Sequence, residues 1–127
     1  MTPIETVLVF LDRINQHDPD KLAAVMSEDH VFIESLGRTM RGREKMRQGW
    51  RSYYNMCPDY RVSHEEIFAN GNVVAIFATG GGTIRGNRWE APAAWRAVID
   101  NGLVKEWRVY ADNKPVYDTL ATVSKYS

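Results

Sequence analysis

The N-terminal part of the chain has the apolar spacing of amphipathic helices. Apolar residues recur at intervals of three and four positions at Ile4, Val7, Leu8, Leu11 and Ile14. This spacing predicts a helix that ends near Asn15. Thr2 and Glu5 have the spacing of a capping box around Pro3, so the helix should begin there. Asp18 followed by Pro19 predicts a second, short helix that begins in the same way.

A short strand and a third helix are predicted next. His30–Glu34 is apolar and β-branched in character, and Gly37 should end this strand. A helix then extends from Gly42 to Pro58, because its apolar residues recur on one side. These residues are Met46, Gly49, Trp50 and Tyr53.

Beyond Tyr60 the pattern becomes that of β-strands. The predicted strands are Arg61–Phe68, Val73–Ile84, Arg88–Asp100 and Leu103–Ala111. Asn-Gly and Gly-Asn dipeptides between them predict tight hairpins. Helices followed by an antiparallel meander indicate an α+β fold. A chain of this length is most simply one domain, here residues 1–120, followed by a C-terminal tail at 121–127.

Small residues interrupt two of the predicted strands. Gly80–Gly82 lies within one strand and Ala91–Ala94 within the next, where Trp89 and Trp95 flank the alanines. Small residues on neighbouring strands leave space, and aromatic residues can form its walls. We therefore predict a cavity between the sheet and the helices. The alternative is a sharply twisted sheet whose small residues let a helix approach closely.

The charge balance and the cysteine content exclude several classes of function. Sixteen basic and sixteen acidic residues give no net charge, whereas nucleic-acid-binding domains usually carry a basic excess. Cys57 alone cannot form an internal disulfide, and the histidines lack the spacing of a metal site. We expect no metal, no cofactor, no nucleic acid and no membrane partner. The N-terminus lacks the pattern of a signal peptide, so cytoplasmic residence is expected.

Asp112 is the first candidate for chemistry. It follows the apolar strand Leu103–Ala111 and precedes the turn residues Asn113 and Pro115. A carboxylate at such a place is costly to bury unless it is paired or protonated. Carboxyl groups held in this way serve as general acids and bases. The alternative is a surface aspartate that caps a turn.

Four sequence segments, in the order of the predicted elements, carry a family resemblance. They are Glu34–Gly37, Arg41–Glu44, Asp100–Val104 and Trp107–Asp112. The chain resembles the SnoaL-like family of the nuclear transport factor 2-like superfamily, whose relatives include polyketide cyclases, limonene epoxide hydrolase and ketosteroid isomerase. The resemblance covers nearly the whole chain. It implies a cone-like, curved antiparallel sheet that packs on three N-terminal helices and encloses a cavity.

The resemblance implies catalytic roles for two carboxylates. Asp112 resembles the terminal-strand aspartate that acts as acid or base in the cyclases and epoxide hydrolases. Glu34 falls where ketosteroid isomerases keep their catalytic carboxylate. The first helix has no tyrosine to hold an enolate oxygen, and the stretch matching the Arg-x-Asp pair of limonene epoxide hydrolase is glycine-rich, so neither specific reaction is implied. In one apolar cavity, repulsion and desolvation would favour protonation of one carboxylate and leave the other as a base.

Two functions follow from these candidates. The first is a cofactor-independent isomerase, cyclase or epoxide-hydrolase-like enzyme that acts on a small, mostly apolar substrate. The second is a non-catalytic module that binds a small apolar ligand or a protein partner. The predicted substrate-binding residues are His30, Phe32, Trp50, Tyr53, Trp89, Trp95 and Tyr110. A homodimer is expected through the exposed face of the sheet, where Val98, Trp107 and Val109 are the predicted contacts.

Overall fold

The computed structural model describes residues 1–112, 114, 115, 117, 118, 120 and 121, and its fold combines helices with a six-stranded sheet. The elements are α1 Pro3–Gln16, α2 Pro19–Ala23, β1 Met26–Ile33, β2 Thr39–Arg41, α3 Arg43–Met56, β3 Arg61–Asn70, β4 Val73–Ile84, β5 Asn87–Asp100 and β6 Leu103–Ala111. The predicted α+β architecture is confirmed. The predicted tail at 121–127 lies outside the described residues, apart from Ala121.

The helix starts follow the capping residues of the sequence. The Glu5 amide donates to Thr2 Oγ1 at 3.2 Å, and the Thr2 amide donates to Glu5 Oε1 at 3.1 Å. Asp18 Oδ1 accepts from the amides of Asp20 and Lys21 at 3.0 and 3.1 Å. These bonds satisfy amide groups that lack partners within the helix. The predicted starts of α1 and α2 are therefore confirmed.

The sheet contains one parallel pairing within an otherwise antiparallel order. The strands are arranged β2-β1-β6-β5-β4-β3, and β1 runs parallel to β6. β1 begins at Met26, earlier than the predicted His30, and the short strand β2 was not predicted. Parallel strands end at the same edge of a sheet, so the residues that follow β1 and β6 lie at one end of the fold.

The core lies between α1 and the inner face of the sheet. Its most deeply buried apolar side chains come from both layers: Val7, Phe10, Ile14, Val74, Ile76, Val104 and Trp107. The ring centroids of Phe10 and Trp107 are 4.6 Å apart. Burial of one such side chain contributes roughly 1.5–3 kcal/mol. None of the helices described here is long and apolar enough to cross a membrane.

A bulge in β6 decides which of its side chains face the core. Val98 pairs with Glu106, whereas the next residue, Ile99, pairs with Val104. Lys105 is therefore an extra residue on β6. An extra residue reverses the alternation of side chains along the rest of the strand.

The bulge overturns the predicted directions of three side chains. Trp107 and Val109 were expected on the outer face, but Trp107 is buried in the core and Val109 is on the inner side. Tyr110 was expected in the cavity, but it lies on the outer face and is 49% exposed. There the guanidinium carbon of Arg108 lies 5.0 Å from the centroid of the Tyr110 ring. Val98 remains on the outer face.

The glycine run in β4 allows a close approach by the segment between α3 and β3. A Cβ atom on Gly82 would overlap Cys57 Sγ, and one on Gly80 would lie 3.3 Å from the Tyr60 hydroxyl. Gly82 therefore allows close packing, which was the predicted alternative to a cavity. The segment that packs against it is a loop, not the helix that this alternative assumed. Gly80 instead lines the cavity.

His30 was predicted to bind substrate, but it is fully buried in β1. Its Nδ1 lies 2.7 Å from the carbonyl oxygen of Val104, so Nδ1 carries the proton and donates. Within the described structure, Nε2 is buried without a hydrogen-bond partner. A second proton would therefore place an unpaired charged donor in the core, and burial lowers the pKa of His30 below its usual value of 6.5.

The close packing predicts opposite outcomes for two Gly-to-Ala substitutions. Gly82→Ala should lower the free energy of unfolding by about 1–3 kcal/mol, because the added methyl group collides with Cys57. Gly49→Ala in α3 is the matched control. Its Cβ would meet only Met40 Sδ, at 3.5 Å, and alanine favours a helix over glycine by about 1 kcal/mol. Urea unfolding of both variants checks the difference. Equal stability of the two variants would contradict this account.

His30 also predicts a dependence of stability on pH. Its folded pKa lies below its unfolded pKa, so the unfolded chain binds the proton more readily. The contribution of His30 to the free energy of unfolding is then fully present above about pH 6.5, and it is lost as the pH falls below that value. We expect His30→Asn, which cannot titrate, to flatten the decrease in unfolding free energy between pH 7 and 5. His64→Asn, at an exposed site on β3, should leave the decrease unchanged. A larger effect from His64→Asn would refute the assignment.

Candidate active site

A cavity of about 410 Å³ lies between α3 and the inner face of the sheet. Binding sites for small molecules commonly have volumes of about 300–1,000 Å³. Small residues leave this space open: Gly49, Gly80, Ala91, Ala93 and Ala111. Apolar and aromatic residues surround it: Phe32, Met40, Met46, Trp50, Tyr53, Met56, Tyr60, Trp89, Trp95, Trp107, Val109, Tyr117 and Leu120. The predicted cavity is therefore present.

Four of the aromatic rings form one continuous wall with a corner. Tyr53 stands nearly perpendicular to Trp50 and to Tyr60, with interplanar angles of 74° and 82°. The corresponding ring centroids are 6.1 and 4.9 Å apart. Trp89 then lies nearly parallel to Tyr60, with centroids 6.0 Å apart. A ligand in this corner would meet both the faces and the edges of rings.

Two carboxylates are the charged groups of the described cavity lining, Glu34 and Asp112. Glu34 directly follows β1, and Asp112 directly follows the parallel neighbour β6. Ile33 pairs with Arg108, which makes Glu34 level with Val109. Asp112 is three residues beyond Val109, about 10 Å farther along the strand direction. Asp112 is exposed and Glu34 is half-buried, whereas most of the aromatic wall is buried, so the carboxylates occupy the mouth of the cavity.

Glu34 belongs to a structured turn between β1 and β2. Its amide donates to the Arg38 carbonyl at 2.9 Å, and its own carbonyl accepts from the Gly37 amide at 2.8 Å. Its carboxylate forms an ion pair with Arg38 Nε at 2.7 Å. The Glu34 side chain is 27% exposed, whereas that of Arg38 is 77% exposed. Arg38 therefore offsets part of the charge of Glu34 from the solvent side.

Asp112 forms no salt bridge within the described residues, and the Lys114 ammonium group acts on it only as a longer-range charge. Its Oδ1 accepts from the Lys114 amide at 3.0 Å, which fixes the carboxylate at the start of the following turn. The Lys114 ammonium group is instead bound to Asp118 Oδ2 at 2.7 Å. Asp112 thus caps a turn, as the alternative prediction proposed, and it also lines the cavity.

The inner wall supplies hydrogen-bond donors. The Trp50 indole N–H is buried and has no hydrogen-bond partner among the described residues. Burial raises the pKa values of Tyr53 and Tyr60 well above the usual value of 10, so both phenols stay protonated. The Trp89 indole N–H lies beside the Cys57 thiol, whose pKa is raised mainly by burial. The wall can therefore donate to an oxygen atom that gains negative charge.

The structure brings most of the predicted site residues to this one cavity: Phe32, Glu34, Trp50, Tyr53, Trp89, Trp95 and Asp112. His30 lies in the core and Tyr110 on the outer face, so neither lines it. Tyr60 was missed, although the absence of a side chain at Gly80 left the space that its ring fills. Tyr117 was also missed, because it lies in the region after the last predicted strand.

Solved structures share this fold at low sequence identity. A Catenulispora acidiphila protein with a ketosteroid isomerase-like fold, in complex with trimethylamine, has a TM-score of 0.83 and 22% identity, over 94% of this chain and 93% of that one. An LEH-like epoxide hydrolase of M. tuberculosis has a TM-score of 0.82 and 22% identity, over 98% and 96%. A Jannaschia sp. protein assigned as a SnoaL-like polyketide cyclase has a TM-score of 0.83 and 19% identity, over 94% and 91%.

The sequence itself matches a family model over most of its length. No curated protein matches it. The model of the SnoaL-like domain matches residues 7–107, from the second turn of α1 to the inward-facing tryptophan of β6. This range contains Glu34 and most of the cavity lining, and Asp112 lies just beyond its end. The chain belongs to the SnoaL-like domain family, as the resemblance of its sequence segments and its six-stranded sheet both indicate.

Proposed function

We propose that this chain is a cofactor-independent acid–base enzyme of the isomerase, cyclase or epoxide hydrolase kind. It acts on a small, mostly apolar substrate in the cavity, with Asp112 as the general acid or base. One observation carries the proposal: the Asp112 carboxylate lines an aromatic cavity and has no cationic partner within 4.0 Å among the described residues. A carboxylate in such a position can exchange a proton with a bound molecule.

The cavity suits proton transfer next to a carbonyl group. Asp112 would take a proton from the carbon beside the carbonyl, and the electron pair of the C–H bond would move toward the carbonyl oxygen. The Trp50 N–H and the protonated Tyr53 phenol would donate to this oxygen as it becomes negative. Return of the proton from Asp112 to another carbon would restore the carboxylate. Glu34 would accept a hydrogen bond from a substrate hydroxyl group or from water at the mouth.

The structural neighbours support the same range of reactions and ligands. They include an epoxide hydrolase and a protein assigned as a polyketide cyclase. The Catenulispora neighbour is in complex with trimethylamine, so a protein of this fold accommodates a small amine. Likeness at these identities concerns the fold, and the reaction has to be argued from the site.

A non-catalytic module that binds a small apolar ligand is the second candidate. The observation that favours it is the use of both carboxylates in local structure. Glu34 is paired with Arg38, and Asp112 accepts from the Lys114 amide. In that case the aromatic wall would hold the ligand, and the carboxylates would only shape the mouth.

The two candidates differ in the effect of Asp112→Asn. We expect the wild type to accelerate exchange of α-hydrogens of small cyclic ketones in D₂O, or turnover of small lactones and epoxides. Asp112→Asn should lower the rate at least about 100-fold, because general acid–base catalysis contributes about 10²–10⁴-fold. NMR follows the exchange, and gas chromatography follows the turnover.

Asp100→Asn is the control for removal of one carboxylate. Asp100 is exposed at the end of β5 and does not line the cavity. Its rate should equal that of the wild type. If Asp112→Asn retains the wild-type rate, or if the wild type acts on none of the three compound classes, the acid–base proposal fails. Ligand binding without turnover would then favour the binding module.

We also propose that the outer face of the sheet binds a second copy of this chain. Phe68 and Phe77 meet edge-on there, with ring centroids 6.2 Å apart, and are 56% and 44% exposed. Arg96 and Glu106 form an ion pair on the same face. A twofold axis could bring these apolar rings onto their own copies, and the absence of net charge gives little repulsion between chains.

The dimer predicts a specific effect of charge on this face. Phe77→Lys should shift the mass measured by sedimentation equilibrium from dimer to monomer, because two buried ammonium groups would face each other. Leu36→Lys adds the same charge at an exposed turn residue and should leave the dimer intact. A wild type that stays monomeric at high concentration, or a dimer unaffected by Phe77→Lys, would disprove this arrangement.

A further inference from the structure

We propose that the ligand of the cavity carries a tertiary or quaternary ammonium group. Aromatic rings of the inner wall would hold this group, and a carboxylate at the mouth would balance its charge. The inference deepens the proposed function and rests on it, because it specifies which substrates the same cavity takes. The proposed function itself requires only a small, mostly apolar molecule.

The arrangement of the rings is the first ground for the inference. The face of an aromatic ring carries partial negative charge, and tryptophan attracts a cation more strongly than tyrosine or phenylalanine does. Trp50, Tyr53, Tyr60 and Trp89 form a continuous wall whose perpendicular members make a corner. A rounded cation in this corner would touch several rings at once. Aromatic cages of this type bind methylated ammonium groups.

The charge of the lining is the second ground. Glu34 and Asp112 are negative, and no lysine or arginine belongs to the described lining. Arg38 offsets Glu34 from outside, as an exposed ion pair of small strength. The Asp112 carboxylate is left without a cationic partner within salt-bridge distance among the described residues. A cationic ligand would supply that partner.

The donors of the wall decide which kind of ammonium group fits. A primary ammonium group has three N–H donors, which must find acceptors when they leave water. Among the wall side chains, the Trp50 N–H can only donate, and Tyr53 and Tyr60 each supply one phenol oxygen that can accept, so three N–H donors would meet fewer acceptors than they need. A quaternary group has no N–H, and a tertiary one has a single N–H, which a carboxylate at the mouth can accept. The wall therefore favours alkylated over primary ammonium groups.

The test compares two ligands that differ only in charge. Choline and 3,3-dimethyl-1-butanol have the same shape, with a positive nitrogen in one and a carbon in the other. Calorimetric titration or quenching of tryptophan fluorescence measures both dissociation constants. We expect choline to bind about tenfold more tightly than its carbon analogue, and also more tightly than ethanolamine, its primary amine counterpart.

Variants of Tyr53 and Asp112 test whether the rings and the carboxylate cause the preference for choline over its carbon analogue. Tyr53→Leu should lower the ratio of the two dissociation constants by about threefold, whereas Tyr53→Phe keeps an aromatic face and should retain most of it. Asp112→Asn should lower the ratio, and raised salt should lower it in the wild type. These two positions are less buried than the tryptophans, so the variants should fold.

The outcomes separate this inference from the proposed function. Equal or tighter binding of 3,3-dimethyl-1-butanol would overturn the ammonium inference and leave an acid–base enzyme for neutral substrates. A preference for choline that Tyr53→Leu leaves unchanged would also overturn it, because this corner of the wall would then not hold the cation. If choline does not bind at all, the ammonium inference is also overturned, whether or not 3,3-dimethyl-1-butanol binds. Loss of turnover in Asp112→Asn bears on the proposed function alone.

Discussion

The parallel pairing of β1 with β6 is the constraint on which the site depends. These strands come from opposite ends of the chain, and their pairing brings Glu34 and Asp112 to the same end of the sheet. Without it the two carboxylates would have no common cavity. A parallel pair requires a long connection, which here contains α3, the helix that closes the cavity from the other side.

The cavity exists because large and small residues are segregated along the strands. At one end of the fold, Phe10 of α1 packs directly on Trp107, and the space is filled. At the other end, Gly80, Ala91 and Ala93 present almost no side chain to α3, while the aromatic residues stand at the sides. A protein interior is normally packed to crystal density. An open volume beside a dense core is therefore a feature that a ligand can use.

The two carboxylates at the mouth of the cavity have different partners. Glu34 and Asp112 line the same mouth, but Glu34 has an arginine at 2.7 Å and Asp112 has a backbone amide. The groups deeper in the cavity, an indole N–H and two phenols, can donate hydrogen bonds. A bound molecule would thus meet negative charge at the entrance and hydrogen-bond donors or ring faces inside. This polarity is a property of this cavity, whereas family membership alone specifies no reaction, since related folds host many reactions.

Local patterns in the sequence determined the helix starts, the hairpins and the α+β architecture, because caps, turn dipeptides and periodicity act within a few residues. They also indicated Glu34, Asp112 and most of the cavity wall, through strand ends and clusters of small and aromatic residues. The directions of Trp107, Val109 and Tyr110 depended on one extra residue, Lys105, which forms a bulge where β6 pairs with β5. The burial of His30 and the approach of Tyr60 to Gly80 were likewise decided by the tertiary structure. Alternation along a strand shows which side chains share a face, but only pairing between distant strands decides which face meets the core.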